Sequence, residues 1–137
     1  MKIIICGSIS ASEEIILVKK ELEKIGHEVE IPEGVKKPTL RPTSLSTSSE
    51  KADTKIKHDL IRGYFEKMKM YDTVLIVNPE KKGIKGYIGG NTCIEMAFAH
   101  VLYKKLYCLY PLPEMSYTSE LLAMQPIILN GKIKEIV

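Results

Sequence analysis

The chain has 137 residues, which is enough for one hydrophobic core, so we expect residues 1–137 to form a single domain. Its apolar share of 45% and charged share of 27% are ordinary for a globular protein, and a net charge of +3 is too small to indicate binding to DNA or RNA. No stretch approaches the roughly 20 apolar residues of a membrane span, so neither a membrane nor a nucleic-acid polymer is an expected partner.

The first thirty residues predict a strand, a helix and a second strand. Residues 2–6 form a short apolar run, which is typical of a parallel strand that is buried on both faces. Ser10 and Glu13 have the spacing of a capping box, in which two side chains bond the free backbone groups of a helix start. A helix is expected from about residue 12 to 25, and a strand near the sheet edge at 27–31.

Residues 32–49 are the part of the chain with the weakest structural signal. Three prolines precede a polar run of serine and threonine at 43–49. A long polar loop inside a compact domain is usually functional or disordered, so a mobile lid and plain disorder are both open alternatives. The segment 50–71 then has apolar residues near helical spacing and predicts one long helix.

The second half of the chain predicts three further strands, at residues 73–78, 105–110 and 126–129. A glycine-rich turn after the first of them leads into an apolar helix at about 92–103. Residues 118–124 can form a short helix. Asn130-Gly131 is a strong signal for a hairpin turn that leads into residues 132–137.

Strands and helices alternate along the chain, with no internal repeat. This order predicts a three-layer α/β/α sandwich: a Rossmann-like or flavodoxin-like parallel sheet of five strands in the order 2-1-3-4-5. Ligands of such sheets bind beyond the carboxyl ends of the strands, where the strand order reverses. The turn after Cys6, the segment after Asn78 and the loop after Tyr110 should therefore meet at one crevice.

The three cysteines, Cys6, Cys93 and Cys108, are far apart in the sequence. None forms a Cys-x-x-Cys pair, and none has a histidine at metal-ligand spacing. This usage is typical of free thiols in a reducing compartment. We therefore expect a cytoplasmic protein without a disulfide and without a metal site.

Two turns at the expected crevice have the composition of a ligand site. Both begin helices, whose free backbone N–H groups and dipole attract phosphate. Neither matches a dinucleotide fingerprint or a P-loop, and a plain turn that needs small residues and a serine cap is the open alternative for the first. In the second, adjacent glycines let a ligand approach the backbone, and an aromatic ring can stack on a base. The candidate substrate-binding residues are Gly7, Ser8, Ile9, Ser10, Tyr87, Gly89, Gly90, Asn91 and Thr92.

Glu95 is the candidate catalytic residue, and the sequence supports two interpretations of it. Thr92-x-x-Glu95 has the spacing of a capping box, in which the carboxylate would bond its own helix start. The helix is otherwise apolar, however, so the carboxylate should be partly desolvated. Desolvation shifts a pKa and favours a chemical role.

The order of a strand that begins with an aspartate, a variable loop, Gly-x-Thr-x-x-Glu and a helix with alanine four residues on resembles the nucleoside 2-deoxyribosyltransferases. The opening at residues 5–9 resembles that of their relatives, the 2′-deoxynucleoside 5′-phosphate N-hydrolases. The matching residues are Asp72, Gly90, Thr92, Glu95 and Ala99. The resemblance covers most of the chain as an order of elements and is specific at residues 3–10 and 86–99. Asn91 stands where the family usually has glycine, and Tyr64 falls near the place of its assisting aspartate.

This resemblance implies cleavage of an N-glycosidic bond, or transfer of a deoxyribosyl group, on a nucleoside or nucleoside monophosphate. Glu95 would be the nucleophile, and the turn at residues 7–10 would hold the sugar hydroxyl or 5′-phosphate. The resemblance also implies no metal or organic cofactor, and a homodimer or larger homo-oligomer in which the loop at 113–117 can reach a neighbouring site. The alternative is a non-catalytic nucleotide-binding or sensing module on the same fold, with Glu95 as a helix cap.

Overall fold

A computed structural model describes residues 1–37 and 47–137 of the chain. Its centre is a five-stranded sheet in the order β2-β1-β3-β4-β5, in which every neighbouring pair is parallel. The strands are β1 at Lys2–Cys6, β2 at Glu28–Glu30, β3 at Thr73–Ile76, β4 at Lys105–Cys108 and β5 at Ile127–Ile128. The predicted strand order and fold class are both confirmed.

Helices cover both faces of this sheet. They are α1 at Ser12–Lys24, α2 at Glu33–Lys36, α3 at Ser48–Lys57, α4 at Leu60–Met68, α5 at Gly90–Val101 and α6 at Thr118–Ala123. Short 3₁₀ turns precede α1, at Ile9–Ala11, and follow β5, at Ile133–Glu135. No helix within the ranges 1–37 and 47–137 is long and apolar enough to span a bilayer.

The two faces of the sheet bury separate apolar clusters, because successive side chains of a strand point to opposite faces. Ile3 and Ile5 of β1 pack with α1 on one face. Ile4 and Cys6 pack on the other, with residues of α4 and α5. Burial on both faces explains why the strands read as continuous apolar runs rather than as alternating ones.

The carboxyl ends of the central strands lie level with one another. Cys6, the last residue of β1, pairs with Ile76 of β3, which pairs with Cys108 of β4. Just beyond, the backbone N–H of Val77 donates to the carbonyl oxygen of Cys6 at 2.9 Å. The turn after β1 and the segment after β3 therefore leave the sheet side by side, as expected for a switch-point crevice.

The single helix predicted at residues 50–71 is wrong, because the chain breaks into α3 and α4. Asp59, between them, has a φ of 46°, in the left-handed region, and its carboxylate pairs with Arg62 at 3.0 Å. Tyr64 and Met68 of α4 are buried against the sheet, whereas α3 buries no side chain. The break lets α4 follow the core while the more polar α3 leaves it.

Three local predictions also differ from the structure. Ser10 does not cap α1, which starts only after the 3₁₀ turn and has Ala11 at its N-cap. Asn130 and Gly131 do form a turn, but the chain then enters a 3₁₀ turn instead of a strand, and Ile133 and Ile136 join the core beside α1. Within the expected loop at 32–49, α2 and the start of α3 are helical; the lid-or-disorder question concerns residues 38–46, outside the described ranges.

Candidate active site

Glu95 lies in the second turn of α5, and its side chain is only 7% exposed. The helix starts at Gly90, with Gly89 at the N-cap, so it begins earlier than the sequence predicts. Thr92 is then a buried residue inside the helix rather than its cap. The capping-box interpretation of Glu95 is therefore wrong, because its carboxyl group does not bond the backbone of its own helix start.

Three elements meet around the Glu95 carboxyl group: α5, β1 and α3. The Asn91 side chain, one turn earlier on α5, places its Nδ2 atom 3.4 Å from Oε1 of Glu95. The thiol of Cys6, at the end of β1, hydrogen-bonds the carboxyl group, and Lys55 of α3 supplies a positive charge. Burial raises the pKa of Glu95 to about 8, although Lys55 and Cys6 oppose the shift. The desolvation expected from the apolar helix is thus present.

Cys6 and Tyr64 are buried side chains that interact with Glu95. Burial, together with the Glu95 charge, raises the pKa of the Cys6 thiol well above its usual range, so Cys6 is a neutral donor. The hydroxyl group of Tyr64 donates to the carbonyl oxygen of Ile5. Burial and the nearby Cys6 and Glu95 likewise raise the pKa of Tyr64. Tyr64 is therefore a neutral phenol that is bonded to the backbone.

The first candidate turn, residues 7–10, divides into packing residues and hydroxyl groups. A Cβ atom on Gly7 would lie 2.8 Å from the carbonyl oxygen of Val77, so glycine lets this turn pack against the end of β3. The Ile9 side chain packs against Gly34, where a Cβ atom would lie 2.4 Å from Cδ1 of Ile9. Ser8 and Ser10 bond each other through their hydroxyl groups at 2.5 Å, and Ser10 is exposed. Only the two serines have polar side chains to offer a ligand.

The second candidate turn is open at one glycine and covered at the other. A Cβ atom on Gly90 would have no neighbour within 4 Å, whereas one on Gly89 would lie 3.3 Å from the Tyr87 ring. The Lys81 ammonium group lies 5.3 Å from the centre of that ring, in a cation–π contact. Backbone approach is therefore possible at Gly90, while Tyr87 already has a cationic partner.

Asn78 is a site-supporting residue that the sequence analysis did not single out. Its side chain is buried and both of its polar atoms are bonded. Nδ2 donates to the carbonyl oxygen of Tyr110 at 3.0 Å and to that of Gly86 at 3.3 Å, and Oδ1 accepts from the Tyr110 N–H at 3.0 Å. One amide thus joins the segments that follow β3 and β4. A polar residue directly after an apolar strand was the available signal.

We expect Gly86→Ala to destabilise the protein by about 3 kcal/mol, from left-handed strain together with overpacking. Gly86 has a φ of 70°, and a Cβ atom would lie 2.1 Å from the carbonyl oxygen of Pro111. The matched control is Gly83→Ala, which has a φ of 76° but open space around the new atom. Denaturant unfolding should show the control losing only about 1 kcal/mol. Equal losses in both variants would mean that the Pro111 contact costs nothing.

No three His, Cys, Asp or Glu side chains lie close enough to hold a metal ion within the part of the chain that the structure describes. Comparisons with protein-family models, with curated proteins and with solved structures each found no match.

Proposed function

We propose that the protein cleaves the N-glycosidic bond of a nucleoside or nucleoside monophosphate, or transfers its deoxyribosyl group, with Glu95 as the nucleophile. The observation that carries the proposal is a buried carboxyl group beside the carboxyl end of β1, with hydrogen bonds from two elements and a cation from a third. A carboxyl group kept from solvent has a tuned pKa, which is a common property of catalytic residues. The resemblance at residues 86–99 supports the same chemistry.

In the proposed reaction, an Oε atom of Glu95 attacks the anomeric carbon while the carbon–nitrogen bond to the base breaks. The base leaves with the electron pair of that bond and takes up a proton from solvent. This leaves the sugar joined to Glu95 by an ester bond. Attack by water then releases the sugar, or attack by a second base forms a new nucleoside, and either step regenerates the Glu95 carboxylate.

We expect the rate of base release to rise about tenfold between pH 7 and pH 9. Only the ionised carboxylate is a nucleophile, and a group with a pKa of about 8 is mostly protonated at pH 7 and mostly ionised at pH 9. The measurement is kcat/KM for base release at pH 6–10, with the fold checked at each pH. A rate that falls over this range would contradict the ionised Glu95 as nucleophile.

The test of the proposal is incubation with deoxynucleosides, ribonucleosides and their 5′-monophosphates, with free base followed by chromatography. Each compound is supplied with and without a second base, which distinguishes hydrolysis from transfer. We expect at least one compound to release its base. The proposal fails if none does while the protein is folded.

The second candidate is a module that binds or senses a nucleotide without cleaving it. The observation in its favour is the pKa of about 8, because a protonated Glu95 at neutral pH is a hydrogen-bond donor and not a nucleophile. Calorimetric titration with the same compounds separates the two candidates. Binding without base release, equal in the wild type and in Glu95→Gln, would establish the module.

The resemblance also supports a homodimer or larger homo-oligomer, and the three free cysteines support a cytoplasmic location. Within one chain, the hydroxyl group of Tyr117 donates to the carbonyl oxygen of Ile88, so the loop at 113–117 packs on the glycine-rich segment of its own subunit. A contribution to a neighbouring site would have to come from other atoms of that loop. Analytical ultracentrifugation measures the subunit number directly.

A further inference from the structure

A chain of two polar contacts connects Lys55 of α3 to Glu95 of α5. Nζ of Lys55 lies 3.3 Å from Oδ1 of Asn91, and Nδ2 of Asn91 lies 3.4 Å from Oε1 of Glu95. The orientation of the Asn91 amide follows from charge. If its two ends were exchanged, the NH₂ group would face an ammonium group and the oxygen would face a carboxylate.

The position of Lys55 is unusual for its helix. Helix α3 buries no side chain, and Lys51 and Lys57 of the same helix are exposed, but Lys55 is half-buried. Among the hydrogen bonds between described residues, its bond to Asn91 is the one that joins an α3 side chain to another element. A lysine stem normally extends into solvent, so this contact directs its charge towards the site.

The other groups that face Glu95 do not supply a charge. Cys6 of β1 is a neutral thiol and Tyr64 of α4 is a neutral phenol, and burial raises the pKa of each. Strand β3 has only uncharged residues. Lys55 is therefore the charged side chain that favours the ionised form of Glu95.

We infer that Lys55 acts through Asn91 to favour the ionised form of Glu95 and to orient its carboxylate for attack on the anomeric carbon, so that Lys55 and Asn91 are both positioning residues of the site. The inference rests on the proposed function for the attack itself. It also changes the role expected for Asn91: both of its polar ends are engaged by protein groups, so it positions the nucleophile instead of binding substrate. This inference gives a role to Asn91, which stands where the family that the chain resembles usually has glycine.

The variants that test this are Lys55→Met and Asn91→Leu, singly and together, with Lys55→Arg as the conservative change. The matched control is Lys51→Met, one turn earlier on α3, whose side chain is exposed. The first measurement needs no substrate: ¹³C NMR of the glutamate carboxyl carbons over pH 5–10, with the Glu95 signal assigned by its loss in Glu95→Gln. The second is kcat/KM for base release over the same pH range.

We expect Lys55→Met to move the titration midpoint of Glu95 upwards by about one pH unit, since a nearby opposite charge shifts a carboxyl group by about this amount or more. At neutral pH, kcat/KM should fall about tenfold and recover at higher pH. Lys55→Arg keeps the positive charge, so its Glu95 midpoint should stay close to that of the wild type. Lys51→Met should change neither the midpoint nor kcat/KM. The double variant should lose no more than the larger of the two single losses, because both changes break one chain.

An unchanged midpoint in Lys55→Met would overturn the inference. So would additive losses in the double variant, which would mean that Lys55 and Asn91 act separately. The two measurements also separate the claims. If the midpoint moves as expected but no compound releases its base, the link between Lys55 and the ionisation of Glu95 stands and the proposed function fails.

Discussion

Glu95→Gln should reduce base release by about a thousandfold or more, because an amide cannot form the glycosyl ester. Glutamine has almost the same shape as glutamate and can still contact Asn91 and Cys6. The fold and the binding of substrate should therefore remain. The measurement is kcat for the best compound of the panel, together with calorimetric affinity for the same compound.

The matched control for this variant is Glu80→Gln. Glu80 is an exposed carboxylate that follows β3 at the same edge of the sheet, so the control removes one charge near the crevice without touching the nucleophile. We expect its kcat to equal that of the wild type. Trapping at acid pH followed by intact mass spectrometry should find the mass of one sugar on the wild type and none on Glu95→Gln. Base release that persists in Glu95→Gln would remove Glu95 from the reaction.

The sheet was predictable from the sequence because each strand carries its own signal. Residues 2–6 and 73–76 are short apolar runs, and a strand between two helical layers needs that pattern. The break at Asp59 was not predictable in this way. The segment 50–71 has no proline, and its one glycine, Gly63, lies inside α4. What separates α3 from α4 is contact with the sheet, which only tertiary structure reveals.

The desolvation of Glu95 could be expected from its apolar helix, but its partners could not. Cys6 and Lys55 are 89 and 40 residues away in sequence, and side-chain periodicity carries no information across such distances. The helix start was also misplaced. Glycines at positions 89 and 90 favour a turn, yet α5 begins at Gly90, and this shift turns Glu95 from a capping residue into a buried one.

Glu95 should also contribute to the dependence of stability on pH between about pH 4.5 and 8, and Glu95→Gln should remove that contribution. The pKa of Glu95 is about 8 in the folded protein against about 4.5 in the unfolded chain. Between these values the folded state holds a proton that the unfolded state releases, so stability falls as pH rises from about 4.5 to 8 and then levels off. The whole loss is about 5 kcal/mol, at about 1.4 kcal/mol for each pKa unit.

The free energy of unfolding of the wild type and of Glu95→Gln should therefore be similar at pH 5, where Glu95 is neutral, and differ by about 5 kcal/mol in favour of the variant at pH 9. Urea titrations at pH 5, 7 and 9 measure the difference, which cancels other groups that titrate alike in both proteins. Glu80→Gln, exposed in both states, should follow the wild type. If Glu95→Gln were more active and less stable at pH 9 than the wild type, both roles of Glu95 would be contradicted.

Function and stability thus oppose each other at Glu95. The ionised form that attacks the sugar is the form in which the folded protein is less stable, and Lys55 reduces this conflict by stabilising the ionised form.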